Sequence, residues 1–356
     1  MKIIKDSNFI DNQVDKYIAE RPLYESYSTK LRNLLLSLLD AHELKYQVVE
    51  ARAKDAVSFR EKITRAGKSY DDPISNLPDL CGARIIVYYA DDVPKVAKMI
   101  SSEFNVIEEV VSHQPEAFEA DRFGYLSLHF VVKLSNGRSE LAEWKFASKF
   151  QAEIQVRTVI QHAWSAVSHA LQYKQETAIP SKLRRRLFRI AGLFELADEE
   201  FVGIRDAKGR LSDAAAAAFA EGNKNIPISL ESIQELTSDA SVMRPLIESA
   251  SRFGLTSKNI EEENNTFPEI YEISRRLGLR DIAGIEAIIT KDHSKLFEKI
   301  IERMKSNWNL PKDFLIFFAL LSEAVDFVSI NELGEFGWNE DRADILISAA
   351  KSAKTS

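Results

Sequence analysis

The chain has 356 residues, 45% of them hydrophobic and 28% charged, a balance typical of a globular protein long enough for two domains. No window approaches the roughly 18 apolar residues of a membrane span, and the N-terminus turns polar too soon for a signal peptide. A single cysteine, Cys81, excludes an internal disulfide and a multi-cysteine zinc site. We therefore expect a cytoplasmic protein with no membrane partner.

The net charge of −7 is unevenly distributed along the chain. Residues 1–210 carry 31 Lys and Arg against 30 Asp and Glu, whereas residues 211–356 carry 16 against 24. All of the negative excess therefore lies in the second part. This asymmetry predicts two units with different surfaces, and we divide the chain into residues 1–210 and residues 211–356.

Apolar periodicity predicts the elements of the first part. They are two helices over residues 8–46 with the second starting near Tyr24, a strand at Tyr46–Lys54, a helix near Val57–Ala66, a strand at Cys81–Tyr89, a helix at Asp91–Glu103, and strands at Phe104–Val111 and Tyr125–Leu134. A further strand opens the stretch AEIQVRTVIQHAWSAVSHALQYK, which starts at Ala152. Together these elements predict an α/β (α+β) domain with a mixed, about five-stranded sheet flanked by helices.

The stretch from Ala152 changes periodicity in its middle. Its first half places Glu153, Gln155 and Arg157 on one face of a strand, and its second half has the spacing of a helix, with Val167 on the apolar side. The polar face is either part of a functional site or the solvated face of an edge strand, and this stretch alone does not decide between the two.

The second part of the chain follows a long helix predicted from Pro180 to about Ala207. Residues 228–350 contain short amphipathic patterns separated by polar breaks, which predict an all-helical domain. No pair of residues in this part has catalytic spacing.

Basic residues cluster where the strand at residues 46–54 passes into a helix. Arg52, Lys54, Ser58 and Lys62 lie at this junction. Arginine forks, lysine point charges and the N–H groups of a helix N-terminus all suit phosphate oxygens. The alternative is a solvated basic face.

A carboxylate, Asp79, immediately precedes the buried strand at Cys81. Together with Glu153 it would form the pair of protein ligands that Mg²⁺ needs beside phosphate and water. The alternative for Asp79 is a loop or turn cap.

The motif FGYLSLH begins the strand that ends at Leu134. Gly124 permits a close turn, Tyr125 offers a flat face for a base, and Ser127 and His129 fall on the same strand face as Tyr125. The alternative is a strand that starts with an aromatic residue.

Four motifs occur in order and resemble the synthetase domain of the RelA/SpoT family, the alarmone (p)ppGpp synthetases. They are ARAKDAVSFREKI, DLCGAR, GYLSLH, and EIQVRT followed by HAWSAVSHALQYK, and the resemblance covers roughly residues 20–205. It implies a nucleotidyltransferase-like fold and transfer of pyrophosphate from ATP to the 3′-hydroxyl of GTP or GDP, with AMP as the leaving group.

The resemblance also implies a role for each matching residue. Asp79 and Glu153 would be catalytic and would coordinate Mg²⁺, and Glu153 would also deprotonate the attacking hydroxyl. The ATP-binding residues would be Arg52, Lys54, Ser58, Lys62 and Arg84. The acceptor-binding residues would be Tyr125, Ser127, His129, Gln155, Arg157, His162 and Lys174.

Some features depart from the family pattern or leave the function open. Leu126 stands where members often carry Arg or Gln, and no hydrolase domain is recognisable, so we expect synthesis only. An alternative is a toxic relative that pyrophosphorylates the 3′ end of tRNA, restrained by its fused antitoxin-like C-terminal domain. A third reading is a regulatory module that binds nucleotide without catalysis. We further expect a homo-oligomer and a regulatory C-terminal domain whose partner is another protein or the chain's own synthetase domain.

Overall fold

The computed structural model describes residues 7–65, 70–112, 127–172, 181–258 and 266–355. The chain divides into two compact units, residues 1–205 and residues 206–356, and each has its own hydrophobic core. No helix among the described residues is both long enough and apolar enough to cross a membrane.

The division at residue 205 falls inside a long helix, which is the last element of the first unit. The elements of this unit follow the order expected from the sequence. They are α1 (Ser7–Ala41), β1 (Val48–Ala53), α2 (Ala56–Thr64), α3 (Pro73–Asn76), β2 (Cys81–Val87), α4 (Val93–Glu103), β3 (Phe104–Ser112), β4 (Ser127–Leu134), α5 (Asn136–Ser139), β5 (Ala152–Thr158), α6 (Val159–Gln172) and α7 (Ser181–Ala220), with 3-10 turns at Pro78–Leu80, Ala90–Asp92 and Lys145–Ala147.

Within the described residues, β1 to β5 form one sheet in the order β1-β2-β5-β4-β3. β2 and β5 run parallel, and the other neighbours are antiparallel, which confirms the predicted mixed five-stranded sheet. One face of this sheet is apolar, because Ile85, Phe130 and Ile154 are fully buried in a core shared with α1 and α4. The opposite face carries the polar residues.

Helix α1 corrects the sequence prediction of two helices over residues 8–46. It is one helix of 35 residues that continues through Pro22. Proline has no N–H, so the carbonyl of Ile18 lacks its usual helical donor. The helix persists because Tyr17, Tyr24 and Tyr27, on both sides of the proline, are buried in the core.

Helix α7 also differs from expectation, because it ends at Ala220 rather than near Ala207. The run of five alanines that starts at Ala214 continues the helix, since alanine has the best helix propensity. Gly222, with φ of 72°, then supplies the left-handed backbone that commonly follows a helix end.

The second unit is helical as expected, except for two short strands. Its elements are α8 (Leu230–Ser238), α9 (Ala240–Arg252), β6 (Leu255–Lys258), α10 (Phe267–Arg276), α11 (Ile282–Ile289), α12 (Ser294–Met304), β7 (Trp308–Pro311), α13 (Asp313–Ala324), α14 (Ile330–Glu335) and α15 (Glu340–Thr355). β6 and β7 pair in parallel. The all-helical prediction was wrong on this point, because four residues are too few to show strand alternation.

Pro22→Ala should raise the free energy of unfolding of the first unit by about 1–3 kcal/mol, because alanine restores the N–H donor to Ile18. Native-state amide hydrogen exchange of α1 measures this unit separately from the second. Pro94→Ala is the control, because Pro94 lies in the first turn of α4, where the missing N–H has no helical partner. Equal protection in the two variants would contradict the prediction.

Candidate active site

The polar face of the sheet carries charged residues in neighbouring register. Arg84 of β2 pairs with Glu50 of β1 on one side and with Gln155 of β5 on the other, and Gln155 pairs with His129 of β4. Glu153 lies two residues before Gln155 and therefore on the same face. Directly paired residues project to the same side of a sheet, so the strands bring these side chains together.

Four of these residues, Glu50, Arg84, Glu153 and Gln155, line a cavity of about 670 Å³ over β1, β2 and β5. Six of the residues expected from the sequence line it: Arg52, Lys54, Asp79, Arg84, Glu153 and Gln155. Two further charged residues, Arg32 and Glu50, line it as well. The cavity therefore combines carboxylates with an excess of cations.

Asp79 lies on the 3-10 turn that precedes β2 and contacts two lysines. Its Oδ2 is 2.9 Å from Lys54 Nζ and 2.5 Å from Lys62 Nζ. Its Oδ1 is buried and has no hydrogen-bond donor among the described residues. Two cations thus offset the negative charge of Asp79 through one of its two oxygens.

Glu153 is held as an ionised carboxylate. His129 Nδ1 lies 3.0 Å from its Oε1, and Gln155 Nε2 donates to the same oxygen at 2.9 Å. The hydrogen bond from His129 is the largest cause that lowers the pKa of Glu153, and it outweighs burial, so this pKa is about 2. Both contacts use Oε1, which leaves Oε2 for a ligand.

Arg157 fixes the histidine that contacts Glu153. Its Nε donates to Ser127 Oγ at 2.6 Å, its Nη1 donates to Ser165 Oγ at 2.7 Å, and its Nη2 is 3.3 Å from His129 Nε2. A guanidinium can only donate, so Nε2 of His129 accepts and Nδ1 carries the proton that points to Glu153. Burial lowers the pKa of Arg157 to about 10. Because this value is still well above neutral pH, the guanidinium stays charged.

Six expected residues that the structure describes do not line the cavity: Ser58, Lys62, Ser127, His129, Arg157 and His162. The backbone N–H of Ser58 donates to Asp55 Oδ1, which caps the N-terminus of α2. His162 lies on α6, where burial, Arg84 and Arg157 lower its pKa and favour the neutral ring. Val167 of the same helix, expected on its apolar side, is 56% exposed.

Tyr125 and Lys174, both expected to bind the acceptor, lie outside the described residues, and so does Leu126. Arg32 and Glu50 were missed in the sequence. Glu50 lies two residues before Arg52 on β1 and therefore on the same face of the strand, so strand periodicity could have identified it. Arg32 donates from Nε to the carbonyl of Val49, and nothing in the helical pattern of α1 signals that contact.

The residues present fit a magnesium ion held partly by phosphate. Among the residues that the structure describes, no cluster of three or more His, Cys, Asp and Glu could hold a metal by itself. Mg²⁺ commonly uses one or two carboxylates and takes its other ligands from water and substrate phosphates. Asp79 and Glu153, each with one oxygen outside the contacts above, match that pattern.

Comparison with known proteins identifies the region that contains this site. The family model described as "Region found in RelA / SpoT proteins" matches residues 51–178. GTP pyrophosphokinase YjbM of Bacillus subtilis (strain 168) is 28% identical over 212 residues, 58% of this chain and 94% of that protein. GTP pyrophosphokinase YwaC of the same organism is 24% identical over 158 residues, 44% of this chain and 72% of that protein. Residues 51–178 are therefore similar to the region found in RelA/SpoT proteins.

Two solved structures are similar to about half of this chain. Small alarmone synthetase 1 from Bacillus subtilis has 25% sequence identity and a TM-score of 0.45, and covers 55% of this chain and 99% of its own. Small alarmone synthetase 2 from Bacillus subtilis has 21% identity and a TM-score of 0.44, and covers 54% and 99%.

His129→Ala should raise the pKa of Glu153, because it removes the largest cause of the low value while burial remains. Carbon-13 NMR of labelled glutamate carboxyls, with Glu153→Gln for assignment, measures this shift. We expect no titration of Glu153 between pH 4 and 7 in the unmodified chain and a midpoint at higher pH in the variant than in the unmodified chain.

His42→Ala is the control for this experiment, since His42 is paired with another carboxylate, that of Glu103. It should leave the titration of Glu153 unchanged. A Glu153 signal that is the same in both histidine variants would show that His129 does not set this pKa.

Proposed function

We propose that the first unit is a pyrophosphotransferase that moves the β,γ-diphosphate of ATP to the 3′-hydroxyl of GTP or GDP, which makes (p)ppGpp. The observation that carries this proposal is a single cavity in which Asp79 and Glu153 meet Arg52, Lys54 and Arg84. The two curated relatives that match this region are GTP pyrophosphokinases, and their names support the same reaction here.

The residue types suit this transfer. A bond forms between the acceptor oxygen and the β-phosphorus, and the bond from the β-phosphorus to the α,β-bridging oxygen breaks. AMP leaves with that oxygen, and the acceptor hydroxyl releases its proton to solvent. Such reactions require positioning and charge stabilisation more than covalent chemistry from the protein. Arg52, Arg84, Lys54 and Lys62 are the cations placed to receive the polyphosphate oxygens, and the two lysines already contact an anion at Asp79.

Asp79 and Glu153 are the residues that would hold Mg²⁺, which supplies positive charge between the phosphate oxygens when bound. The low pKa of Glu153 keeps it ionised at neutral pH, as a metal ligand requires. A general base works best with a pKa near the working pH, and the pKa of Glu153 is far below it. We therefore assign Glu153 the role of magnesium ligand and not that of the base that deprotonates the acceptor hydroxyl.

Recognition of the acceptor is assigned from the family resemblance. Tyr125 would stack on guanine, and Gln155 is the expected acceptor residue that lines the cavity. Transfer to tRNA uses the same donor chemistry and differs only in the acceptor, so an acceptor panel decides between the two reactions. Synthesis without hydrolysis, a homo-oligomeric state and a regulatory or antitoxin-like role of the second unit stay predictions.

A labelling experiment tests the reaction directly. The full chain is incubated with γ-labelled ATP and Mg²⁺, together with GTP, GDP, ATP or bulk tRNA in parallel. We expect label on the guanine nucleotides and release of AMP. Label on tRNA would identify the alternative acceptor, and no transfer to any acceptor would overturn the proposal.

Glu153→Gln and Asp79→Asn should each lower transfer by about 10²-fold or more, because each removes a charge on which metal and phosphate binding depend. Glu108→Gln is the matched control, since Glu108 is an exposed glutamate on β3 of the same sheet. The initial rate of labelled product measures all three. A rate in Glu153→Gln equal to that of the control would remove Glu153 from the site.

A further inference from the structure

The backbone of Lys54 is held by hydrogen bonds on both sides of its Cα atom. Its carbonyl oxygen accepts hydrogen bonds from Tyr17 Oη at 2.6 Å and from Arg21 Nε at 3.2 Å, both on α1. Its N–H donates to the carbonyl of Leu80 at 2.9 Å. Lys54 lies between the end of β1 and the cap of α2, so these bonds fix the point where the basic strand turns into the helix.

Lys54 is connected to Asp79 in two ways, through its side chain and through its backbone. The ammonium of Lys54 is 2.9 Å from Asp79 Oδ2, and its side chain is only 16% exposed. Leu80, which receives the N–H of Lys54, directly follows Asp79 in the chain. A shift of the Lys54 backbone would therefore change the distance between the Lys54 ammonium, proposed to bind phosphate, and the Asp79 carboxylate, proposed to bind the metal.

Tyr17 is itself rigidly placed. Its side chain is fully buried and stacks on Phe59 of α2, with ring centroids 4.5 Å apart and an interplanar angle of 27°. Burial raises the pKa of Tyr17 to about 12, so its hydroxyl keeps its proton and remains a donor at neutral pH. The ring and the hydroxyl thus fix α2 and the preceding carbonyl together.

Helix α1 also holds the other end of β1, where Arg32 Nε donates to the carbonyl of Val49 at 2.9 Å. β1 is an edge strand of the sheet and pairs there only with β2 among the described strands. Side chains of α1 therefore take the place of a second neighbouring strand at both ends of β1.

We propose that Tyr17 and Arg21 are positioning residues that act through the carbonyl of Lys54. They hold the Lys54 ammonium and the Asp79 carboxylate at the spacing that pyrophosphate transfer requires. This inference rests on the proposed function. A small displacement at a reacting centre lowers the rate of the chemical step more than it weakens substrate binding, so the effect belongs in kcat.

The test compares Tyr17→Phe with Tyr27→Phe in the full chain. Both tyrosines are on α1 and fully buried, but the Tyr27 hydroxyl has no hydrogen-bond partner among the described residues. We expect kcat to fall about tenfold in Tyr17→Phe, with KM for ATP changed less than about threefold. Tyr27→Phe should behave like the unmodified chain. Equal kcat values in the two variants would overturn the inference.

Hydrogen exchange over residues 48–64, measured by mass spectrometry, gives a readout that does not depend on turnover. Exchange in this segment should be faster in Tyr17→Phe than in Tyr27→Phe. Arg21→Gln is a second variant, at a partly exposed position that folding tolerates, and it should shift both readouts in the same direction. Faster exchange with unchanged kcat would also overturn the inference, because the contact would then be structural only.

The two hypotheses fail in different ways. No transfer by the unmodified chain would refute the proposed function, and the exchange comparison would still decide whether Tyr17 fixes the Lys54 segment. Normal transfer by both the unmodified chain and Tyr17→Phe would refute the positioning role alone.

Discussion

Two carboxylates that are each less than one-fifth exposed share one cavity, and each keeps its negative charge because of specific partners. Burial alone would raise the pKa of Glu153, and the hydrogen bonds from His129 and Gln155 outweigh that effect. Lys54, which directly follows β1, and Lys62 of α2 contact Asp79, and a histidine from β4 contacts Glu153. This electrostatic requirement explains why the site draws on most of the sheet instead of one loop.

The supporting residues form a second layer behind those partners. A buried arginine, Arg157, joins β4, β5 and α6 through two serines and sets the tautomer of His129. On the other side of the cavity, α1 holds the backbone of β1 at Val49 and the residue that follows β1, Lys54. Each layer restricts the groups in front of it, so the charged groups can stay at fixed separations before any ligand binds.

Strand periodicity was enough to predict the mixed sheet and the shared face of three polar residues on β5. The alternation in AEIQVRT placed Glu153, Gln155 and Arg157 on one face before the register was known, and the register then set them beside β2 and β4. Tyr17 could not be predicted in this way. Its hydrogen bond reaches a carbonyl 37 residues away, and a side chain that contacts a backbone atom leaves no pattern in the sequence. The continuity of α1 through Pro22 was missed for a related reason, because tertiary burial outweighed a local helix breaker.

The parallel pairing of β2 with β5 also bears on how the protein folds. Glu153 lies opposite Gly82, and the intervening chain of about 70 residues contains β3 and β4. The two carboxylates therefore meet only after this long segment has closed, a type of contact that slows folding. During synthesis, a nascent chain that has not yet emerged beyond β5 cannot assemble the cavity. We therefore expect chains in which β5 has not yet paired with β2 to bind no nucleotide, so that nucleotide binding reports a completely formed sheet.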